Sequence, residues 1–321
     1  MRMLITGSGG LIGGHLARAL LAEGHTVLAA YRTTPPRMEG GSTRLRLIPL
    51  DLSKMSGGLP PVDVVVHAAA HTLRVPNSSA RDYVQSNLMG TLNLIDYARA
   101  TRPRLFVYLS AMSVYGDVAV DEVDEETPLS RPEIYGASKY VAELIVREAG
   151  GSFPVICVRL PGVVGRGEFT PWVGTMLRSA IRHEPLRIYS PDALFNNIVD
   201  LREIVRFLSH LIARGAAGCD LVNLAASEPM RIRDVIARLR LLTGSRSEVL
   251  VTDRAGKRSF AISTARLRDR LGFHPAATRE ILDRYVTQHV SSGAMERCGE
   301  APSTESPSSQ EAAVSVPGAG R

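Results

Sequence analysis

The sequence predicts an α/β protein with a doubly wound parallel sheet and a smaller C-terminal lobe. Three observations support this fold class. The chain opens with an apolar run, a glycine-rich turn and a helical pattern. Short apolar runs then alternate with helical patterns as far as residue 160, which is typical of parallel strands connected by helices. Beyond Pro161 the alternation loosens, as expected where a second lobe begins.

The opening stretch predicts a Rossmann βα unit that binds a dinucleotide. Glycines follow the first apolar run at Gly7, Gly10 and Gly13. Gly7 permits a tight turn, Gly10 lets backbone approach a pyrophosphate, and Gly13 lets the helix pack on the strand. The phosphates are expected on free N–H groups at the helix start, with Leu11, Ile12 and Gly13 in contact. The alternative is a flexible glycine-rich turn, because the spacing is G-x-x-G-x-x-G rather than the commoner G-x-G-x-x-G.

The remaining elements follow the order expected of such a sheet. Further strands are predicted over 25–30, 45–50, 62–66, 105–109, 155–159, 220–224 and 248–252, and helices over 81–100, 134–149, 172–182 and 201–213. We assign residues 1–165, with 195–225 returning to them, to the dinucleotide-binding domain. Residues 166–194 and 226–290 form the expected substrate-binding lobe, and 291–321 an expected disordered tail rich in Ser, Pro, Gly and Ala.

Composition limits the function classes. The 321 residues carry a formal charge of +6, but no dense basic run predicts a nucleic-acid partner. No apolar stretch is long enough to span a membrane. The cysteines Cys157, Cys219 and Cys298 lack the spacing of a metal site or a disulfide framework, so we expect no metal. Without a signal-peptide pattern, the expected location is cytoplasmic.

Several segments together resemble the extended short-chain dehydrogenase/reductase family, also called the NAD-dependent epimerase/dehydratase family. They are Thr6-Gly-Ser-Gly-Gly-Leu-Ile-Gly13, Asp51-Leu52, His67-Ala-Ala-Ala70, Asn87-Leu-Met-Gly-Thr-Leu-Asn-Leu94, Ser113-Val-Tyr-Gly116 and Tyr135-Gly-Ala-Ser-Lys139. They occur in the family's order over about residues 1–290. The resemblance identifies the family and leaves the substrate open.

Tyr135 and Lys139 are the expected chemical centre. At i and i+4 of a predicted helix they share one face. A nearby ammonium favours the phenolate, so we expect it to lower the pKa of Tyr135 and let the tyrosine exchange a proton with a substrate hydroxyl. The resemblance implies that Lys139 also holds the nicotinamide ribose. The alternative is an exposed helix pair without chemistry.

The third member of the family's triad is missing. The resemblance places a Ser or Thr three residues before Val114, where this chain has Ala111. Ser110 and Ser113 flank that position and are candidate catalytic hydroxyls. Successive strand residues point to opposite faces, so a flanking hydroxyl can replace the donor only where the backbone is irregular. Losing one positioned donor typically costs about 10²–10³ in rate.

The residues before Val114 also disfavour one activity of the family. The resemblance implies acidic residues there in sugar dehydratases, but this chain has Met112 and Ser113. Neither can act as the acid or base of an elimination. Epimerases and ketoreductases remain compatible with the sequence.

The cofactor prediction rests on the loop after the second strand. Members that prefer NAD carry an acidic residue there, whereas this chain has Tyr31 followed by Arg32. A guanidinium can bind a 2′-phosphate, so NADP(H) is favoured and NAD(H) stays possible. Alternatively, Arg32 stacks on the adenine or faces solvent. The resemblance adds the following residues to the cofactor site: Asp51, Leu52, Ala68, Ala69, Ala70, Asn87 and Pro161.

The substrate side is less regular. Gly162 stands near the place where many nucleotide-sugar enzymes of the family carry Asn, and 192–194 lacks their diphosphate-binding Arg. Asn196, Asn197 and Ser113 are candidates for contacts with the substrate. Arg166 is another, and Arg178, Arg187, Arg231 and Arg258 could also supply charge, although each is more typical of a surface residue. His71 could border the cleft or serve a structural purpose.

The predicted function is an NAD(P)-dependent oxidoreductase that epimerises a nucleotide sugar or reduces its 4-keto form. A reductase of a non-sugar carbonyl is the enzyme alternative. A cofactor-binding regulatory protein of weak activity is the alternative from another class, and only Ala111 favours it. The resemblance implies a homodimer formed through a four-helix bundle, here with the helices at 81–100 and 134–149.

Overall fold

A seven-stranded parallel sheet forms the centre of the protein. The computed structural model describes residues 1–38, 41–55, 58–252 and 259–290. The strands are β1 (Arg2–Thr6), β2 (Thr26–Tyr31), β3 (Leu45–Pro49), β4 (Val64–His67), β5 (Leu105–Ala111), β6 (Glu122–Val123), β7 (Val155–Leu160), β8 (Gly162–Val164), β9 (Leu186–Ile188), β10 (Leu194–Phe195), β11 (Ile198–Asp200), β12 (Cys219–Asn223), β13 (Met230–Arg231), β14 (Val249–Val251) and β15 (Ala261–Ile262). The helices are α1 (Leu11–Ala22), α2 (Ala80–Tyr83), α3 (Gly90–Thr101), α4 (Ile134–Glu148), α5 (Trp172–Ile181), α6 (Leu201–Arg214), α7 (Ile232–Thr243), α8 (Ala265–Leu271) and α9 (Thr278–Val290).

The sheet order confirms the doubly wound prediction. The strands run β12-β7-β5-β4-β1-β2-β3, so the chain starts in the middle and winds outward in both directions. Alternate side chains of each strand face opposite layers. Leu109 and its neighbours pack with α1 and α6 on one face, whereas Tyr108 and its neighbours pack with α3 and α4 on the other. Burial on both faces explains the nearly continuous apolar runs of the strands.

The predicted helix over 81–100 is wrong in its interior. A short α2 is followed by a π-helical turn over Val84–Met89, and only then by α3. Such turns are rare and occur frequently at functional sites. Here Asn87 is the buried residue of the turn, on the side that faces the rest of the protein.

The elements beyond β7 build a further apolar cluster among α5, α7 and α9. Three two-stranded pairings contribute to it, namely β8 with β11, β9 with β14, and β10 with β13. The fourth pairing, β6 with β15, packs in a separate small cluster with the turn after β5. The binding of substrate by these segments stays a prediction. The expected tail over 291–321, Arg258 and Cys298 lie outside the described residues.

The described ranges contain neither a membrane-spanning helix nor a cluster of metal ligands. None of their helices combines the length and the apolar character needed to cross a bilayer. Within the same ranges, no three His, Cys, Asp or Glu side chains come together as metal ligands would.

Candidate active site

The predicted site residues follow four neighbouring strands. Gly7 comes directly after β1, and Ala68 follows β4. Ala111 ends β5, and Pro161 follows β7. Because the strands are parallel and adjacent in the order β7-β5-β4-β1, these positions meet at one edge of the sheet. Ligands of such sheets bind outside the carboxyl ends of the strands.

The glycine turn is as tightly built as the sequence predicts. Gly7 has a φ of +68°, and a Cβ there would lie 2.7 Å from the backbone of Ala69. A Cβ on Gly13 would lie 2.4 Å from the carbonyl oxygen of Gly7. Gly9, to which the sequence prediction gave no role, is more constrained still, because its Cβ would lie 2.0 Å from the carbonyl oxygen of Thr34. The loop after β2 therefore rests on the glycine turn.

The N-terminus of α1 fits a diphosphate. Gly10 is the N-cap and has no side chain with which to cap the helix. The amide of Gly14 makes the first helical hydrogen bond, to the Gly10 carbonyl at 3.0 Å. The N–H groups of Leu11, Ile12 and Gly13 precede that bond and are the free donors that a helix start offers to an anion. A Cβ on Gly10 would meet only the Gly7 oxygen, at 3.3 Å, so the approach to these donors is open.

The part of the site expected to bind the adenosine end of the dinucleotide contains both a cation and an anion. Arg32 is exposed, and its Nη1 donates to the Ser86 hydroxyl at 3.2 Å in the π-helical turn. The Asp51 carboxylate accepts hydrogen bonds from the Ser53 amide and hydroxyl, which lowers the pKa of Asp51, with a smaller contribution from the charge of Arg32. Leu52 is buried. The structure thus brings Arg32 and Asp51 into one electrostatic environment.

A buried histidine fixes the strand ends beneath the site. His67 Nδ1 lies 2.8 Å from the Thr6 hydroxyl and Nε2 lies 3.0 Å from the Thr91 hydroxyl. Burial, together with the charge of Lys139, lowers the pKa of His67 to about 3. The imidazole is therefore neutral at physiological pH. The Thr6 hydroxyl also accepts a hydrogen bond from the Ala69 amide at 3.2 Å, which aligns the alanine stretch after β4.

Asn87 is predicted to contact the cofactor, but its side-chain amide is hydrogen-bonded within the protein. Its oxygen accepts from the His71 amide at 2.7 Å, and its nitrogen donates to the His71 carbonyl at 3.1 Å and the Ser138 hydroxyl at 2.9 Å. Both N–H donors are thereby used. Ser138 in turn donates to the Tyr135 carbonyl at 2.8 Å. This geometry makes Asn87 a support that joins the loop after β4 to the start of α4.

The prediction that Lys139 lowers the pKa of Tyr135 is wrong. Burial raises the pKa of Tyr135 to about 12, with Arg74 opposing the rise. Burial also lowers the pKa of Lys139 to about 7, with Glu143 opposing the fall. The ammonium donates to the Leu109 carbonyl at 2.6 Å and lies 4.1 Å from the centre of the Tyr108 ring. Lys139 is therefore turned toward β5, and desolvation dominates both groups.

Glu143 continues the same helix face, four residues beyond Lys139. Its carboxylate accepts three hydrogen bonds from Arg159 of β7, at 3.1 and 3.3 Å from Nε and at 2.8 Å from Nη2. The two side chains are 0% and 3% exposed. The guanidinium also lies 4.7 Å from the centre of the Tyr115 ring. A paired, hydrogen-bonded geometry of this kind is what permits two charges to be buried.

The two candidate hydroxyls differ in access. Ser110 is buried, and its hydroxyl has no hydrogen-bond partner among the described residues. Ala111 keeps extended dihedrals of −144° and 150°, so Ser110 points to the opposite face from Ala111. Irregular backbone begins only with the 3₁₀ turn at Met112, and this turn exposes Ser113. A Cβ on Gly136 would lie 2.1 Å from the Ser113 carbonyl, which places Ser113 against the start of α4. The geometry therefore favours Ser113 over Ser110 as the hydroxyl that replaces the one missing at Ala111.

On the substrate side, the prediction for Asn196 is wrong. Its side chain is buried and makes three hydrogen bonds of 2.7–2.8 Å to the backbone of Ala226 and Ile262. No donor remains for a substrate. Asn197 is half-buried and Arg166 is exposed. A Cβ on Gly162 would lie 3.0 Å from the Pro171 side chain and 3.4 Å from the Asn197 carbonyl, so Gly162 leaves room for the chain that enters α5.

Of four other candidates, two are buried and two lie at the surface. Pro161 is buried between β7 and β8, and His71 is 7% exposed with its Nε2 2.7 Å from the Ser78 hydroxyl. Arg187 and Arg231 are exposed, and Arg231 lies 4.0 Å from Asp192. These two guanidinium groups therefore behave as surface residues.

Sequence reasoning missed three features of the site. Glu143 could have been found from its i+4 spacing to Lys139 on the helix face. Gly9 stands out in the sequence as an extra glycine of the turn, but its position alone does not show that the loop after β2 packs against it. Arg74, in the loop after β4, carries no local signal, because its relation to Tyr135 arises only from the tertiary fold.

Comparisons with known proteins place these observations in context. The family model described as the NAD dependent epimerase/dehydratase family matches residues 3–225. The chain is 26% identical to a UDP-glucose 4-epimerase of Azospirillum brasilense, over 90% of this chain and 91% of the relative. It is 28% identical to a GDP-6-deoxy-D-mannose reductase of Pseudomonas aeruginosa, over 86% and 93%.

Similarity also extends to an enzyme named for a non-sugar substrate. A 2-alkyl-3-oxoalkanoate reductase of Stenotrophomonas maltophilia is 27% identical, over 90% of each chain. Among solved structures, the enzyme WbmG of Bordetella bronchiseptica, in complex with NAD, superposes with a TM-score of 0.77 at 18% identity, covering 91% of this chain and 95% of that one. At that identity the superposition supports the fold.

Proposed function

Since the chain belongs to the NAD-dependent epimerase/dehydratase family, we propose that it is an NAD(P)-dependent oxidoreductase that epimerises a nucleotide sugar or reduces its 4-keto form. The observation that carries the proposal is the placement of Tyr135 and Lys139 on one face of α4, beside the strand edge that carries the glycine turn. The similarity to a UDP-glucose epimerase and a GDP-sugar reductase supports the substrate class.

The glycine turn and the edge of the sheet would hold the dinucleotide. The N–H groups at the start of α1 receive its diphosphate, and Arg32 with Asp51 surrounds its adenosine end. When bound, this coenzyme supplies a site that accepts or returns a hydride. Ala68, Ala69 and Ala70 are half-buried, and their small side chains leave room beside that site.

Proton transfer falls to Tyr135. In the reducing direction its O–H bond breaks, the proton goes to the substrate oxygen, and the phenolate keeps the electron pair. We assign to Lys139, whose ammonium donates to the Leu109 carbonyl, a contact with the ribose. Ser113 is the hydroxyl that we assign to the substrate oxygen, because it is exposed beside the start of α4 while Ser110 is buried.

The substrate lobe stays part of the proposal. We assign its contacts to Asn197 and Arg166, whose side chains are accessible. We do not assign any to Asn196. Gly162 contributes by leaving space below Pro171 rather than by a side-chain contact.

A reductase of a non-sugar ketone is the second candidate. It is favoured by the similarity to the 2-alkyl-3-oxoalkanoate reductase and by Asp192-Ala193-Leu194, which offers no arginine for a diphosphate. A cofactor-binding regulatory protein of weak activity is the third hypothesis, and it rests on Ala111 alone.

We propose a preference for NADP(H), with NAD(H) as the alternative. Arg32 is exposed at the end of β2 and carries the charge that a 2′-phosphate requires. Calorimetric titration of both coenzymes tests this. Arg32→Ala should weaken NADP(H) binding specifically, whereas Arg46→Ala, which alters an exposed arginine of β3, should not. Tighter binding of NAD(H) by the unmodified protein would overturn the preference.

We also propose a cytoplasmic homodimer. Large apolar side chains are exposed on the two helices expected at the interface, namely Met89 and Leu92 at 44% and 37%, and Val141 and Leu144 at 40% and 44%. A four-helix bundle between two copies would cover them. Sedimentation should give a dimer, and Leu144→Glu should give a folded monomer.

The activity is tested with Tyr135→Phe. The protein is incubated with a panel of UDP-, GDP- and dTDP-sugars, their 4-keto forms and 3-oxoacyl compounds, and turnover is followed by product analysis. Tyr135→Phe should lose most turnover and keep coenzyme affinity, because only the proton-transfer oxygen is removed. Tyr140→Phe, the same change on the same helix, should leave turnover intact. Turnover unchanged by Tyr135→Phe would overturn the mechanism.

A further inference from the structure

A buried ion pair joins the helix that carries Tyr135 to the central sheet. Glu143 lies on α4, one helical turn beyond Lys139, and Arg159 lies on β7. The Arg159 Nη2 atom donates to Glu143 Oε2 at 2.8 Å, and its Nε donates to Oε1 at 3.1 Å. Since the two side chains are 0% and 3% exposed, this contact fixes α4 against β7 in the interior of the protein.

The same guanidinium contacts the turn that follows β5. Its central carbon lies 4.7 Å from the centre of the Tyr115 ring, and Tyr115 is fully buried. A guanidinium over an aromatic face is attracted to the ring, most strongly where both groups are removed from water. Tyr115 stands two residues after Ser113 in the 3₁₀ turn Met112–Tyr115. Arg159 therefore contacts α4 with one edge and the turn that carries Ser113 with its face.

The Tyr115 ring has a fixed place of its own. Its hydroxyl lies 2.8 Å from the Asp124 carbonyl oxygen and 3.0 Å from Asn223 Oδ1. Its backbone carbonyl accepts a hydrogen bond from the Ser130 amide at 2.9 Å. The ring is therefore held at its hydroxyl end and through its backbone, while its face contacts the guanidinium of Arg159.

The turn also touches the start of α4 directly. A Cβ on Gly136 would lie 2.1 Å from the Ser113 carbonyl oxygen, so the two backbones pass at a distance that only glycine permits. Gly136 directly follows Tyr135 in the chain. The turn and α4 are thus connected at two points, directly at Gly136 and through Arg159 at Glu143. Two points along one helix fix both the separation and the orientation of Ser113 relative to Tyr135.

Burial makes the ion pair a poor source of stability. Removing two charges from water costs free energy that their attraction repays only in part, and apolar side chains of similar volume often stabilise a protein equally well or better. Building on the proposed function, we propose that Arg159, held by Glu143, is a positioning residue that sets Ser113 relative to Tyr135 for proton transfer to and from the substrate.

Hydrogen exchange tests the order of the turn without a substrate. Tyr115→Leu and Tyr115→Phe both remove the hydroxyl, but only Tyr115→Leu removes the ring that faces Arg159. The Gly116 amide donates to the Ser113 carbonyl at 3.3 Å and reports the order of the turn. Its exchange should be about tenfold faster in Tyr115→Leu than in Tyr115→Phe, while the amides of α1 stay equally protected in both. Equal exchange of Gly116 in the two variants would overturn the proposal.

Removal of the pair separates positioning from stability. Glu143→Met combined with Arg159→Met should unfold at the wild-type urea concentration or above it, but its Gly116 amide should exchange about tenfold faster. Arg238→Met combined with Asp283→Met removes another two-bonded pair, between α7 and α9, and should leave this exchange unchanged. A Glu143/Arg159 variant that fails to fold, or that keeps wild-type exchange, would contradict the proposed role.

Turnover gives the second readout. With a verified substrate, the Glu143/Arg159 variant should lower kcat by about 10- to 100-fold, the scale expected when a reacting group is misplaced. Coenzyme affinity should persist, because the glycine turn is untouched, and Tyr115→Phe should keep most of kcat. A loss of coenzyme affinity in step with kcat would indicate a general disturbance and overturn the positioning role. If the wild type turns over no substrate, the proposed function fails, while exchange at Gly116 still decides whether the pair orders the turn.

Discussion

The buried Lys139 should make stability depend on pH in an unusual direction. Its pKa falls from an ordinary 10.5 to about 7 in the folded protein because burial disfavours the ammonium. Between these values the unfolded chain binds a proton that the folded chain has released. Stability therefore rises with pH across this window and is lowest below pH 7, where both states are protonated.

The magnitude follows from the two pKa values. Between pH 7 and pH 9 the Lys139 contribution should increase the free energy of unfolding by about 2 kcal/mol, or roughly 4–8 °C in melting temperature. The comparison is between the wild type and Lys139→Met, which keeps the length of the side chain and removes the titration. Lys54→Met is the control, since Lys54 is 82% exposed.

Thermal and urea unfolding at half-unit steps from pH 6.5 to 9.5 provide the measurement. Other groups titrate in both proteins, so the difference between the two curves isolates Lys139. The wild type should gain stability with pH relative to Lys139→Met, and the Lys54→Met curve should follow the wild type. Parallel curves for wild type and Lys139→Met would refute the reasoning.

Three further changes test the site. Gly9→Ala should lower the free energy of unfolding by about 1–3 kcal/mol through overpacking, seen as a lower melting temperature, and should weaken coenzyme binding in calorimetry. Normal values for both would contradict the contact with the loop after β2. Asn196→Ala should cost about 2–4 kcal/mol in urea unfolding, because buried backbone groups lose their partners, whereas Asn197→Ala should leave stability nearly unchanged. Because the hydroxyl is assigned to Ser113, Ala111→Ser should have little effect on turnover, whereas Ser113→Ala should lower turnover by about 10²–10³-fold. A rise of up to roughly 10²-fold in Ala111→Ser would show instead that the donor is missing, and an effect of neither substitution would remove the serine from the mechanism.

The sheet could be predicted because its signal is local. Central strands that are buried on both faces are apolar along most of their length, and each is followed by a helix or a turn residue. The predicted strand over 45–50 corresponds to β3, which ends at Pro49, and the helix over 134–149 to α4, which ends at Glu148. The smaller strands could not be found in this way. Pairs such as β10 with β13 have two residues each, too few for any periodicity.

Burial made the site harder to predict than the fold. The spacing of Tyr135 and Lys139 identified the pair, but the direction of their pKa shifts depends on desolvation, which spacing does not reveal. Asn196 looked like a cleft residue because it is polar and adjacent to another asparagine. Its partners, Ala226 and Ile262, lie 30 and 66 residues away, so only the tertiary fold shows that its amide is occupied.

The π-helical turn between α2 and α3 makes this segment sensitive to its exact length. A π-helical turn holds roughly one residue more than an α-helical turn, so removing one residue from 84–89 would restore ordinary helical winding while α3 keeps its orientation. Leu94 and Ile95, which are fully buried, would stay against the sheet, but Asn87 would shift and its amide would no longer meet both His71 and Ser138. A library of single-residue deletions selected for activity should therefore be depleted across 84–89, whereas substitutions of the exposed Val84 should be tolerated.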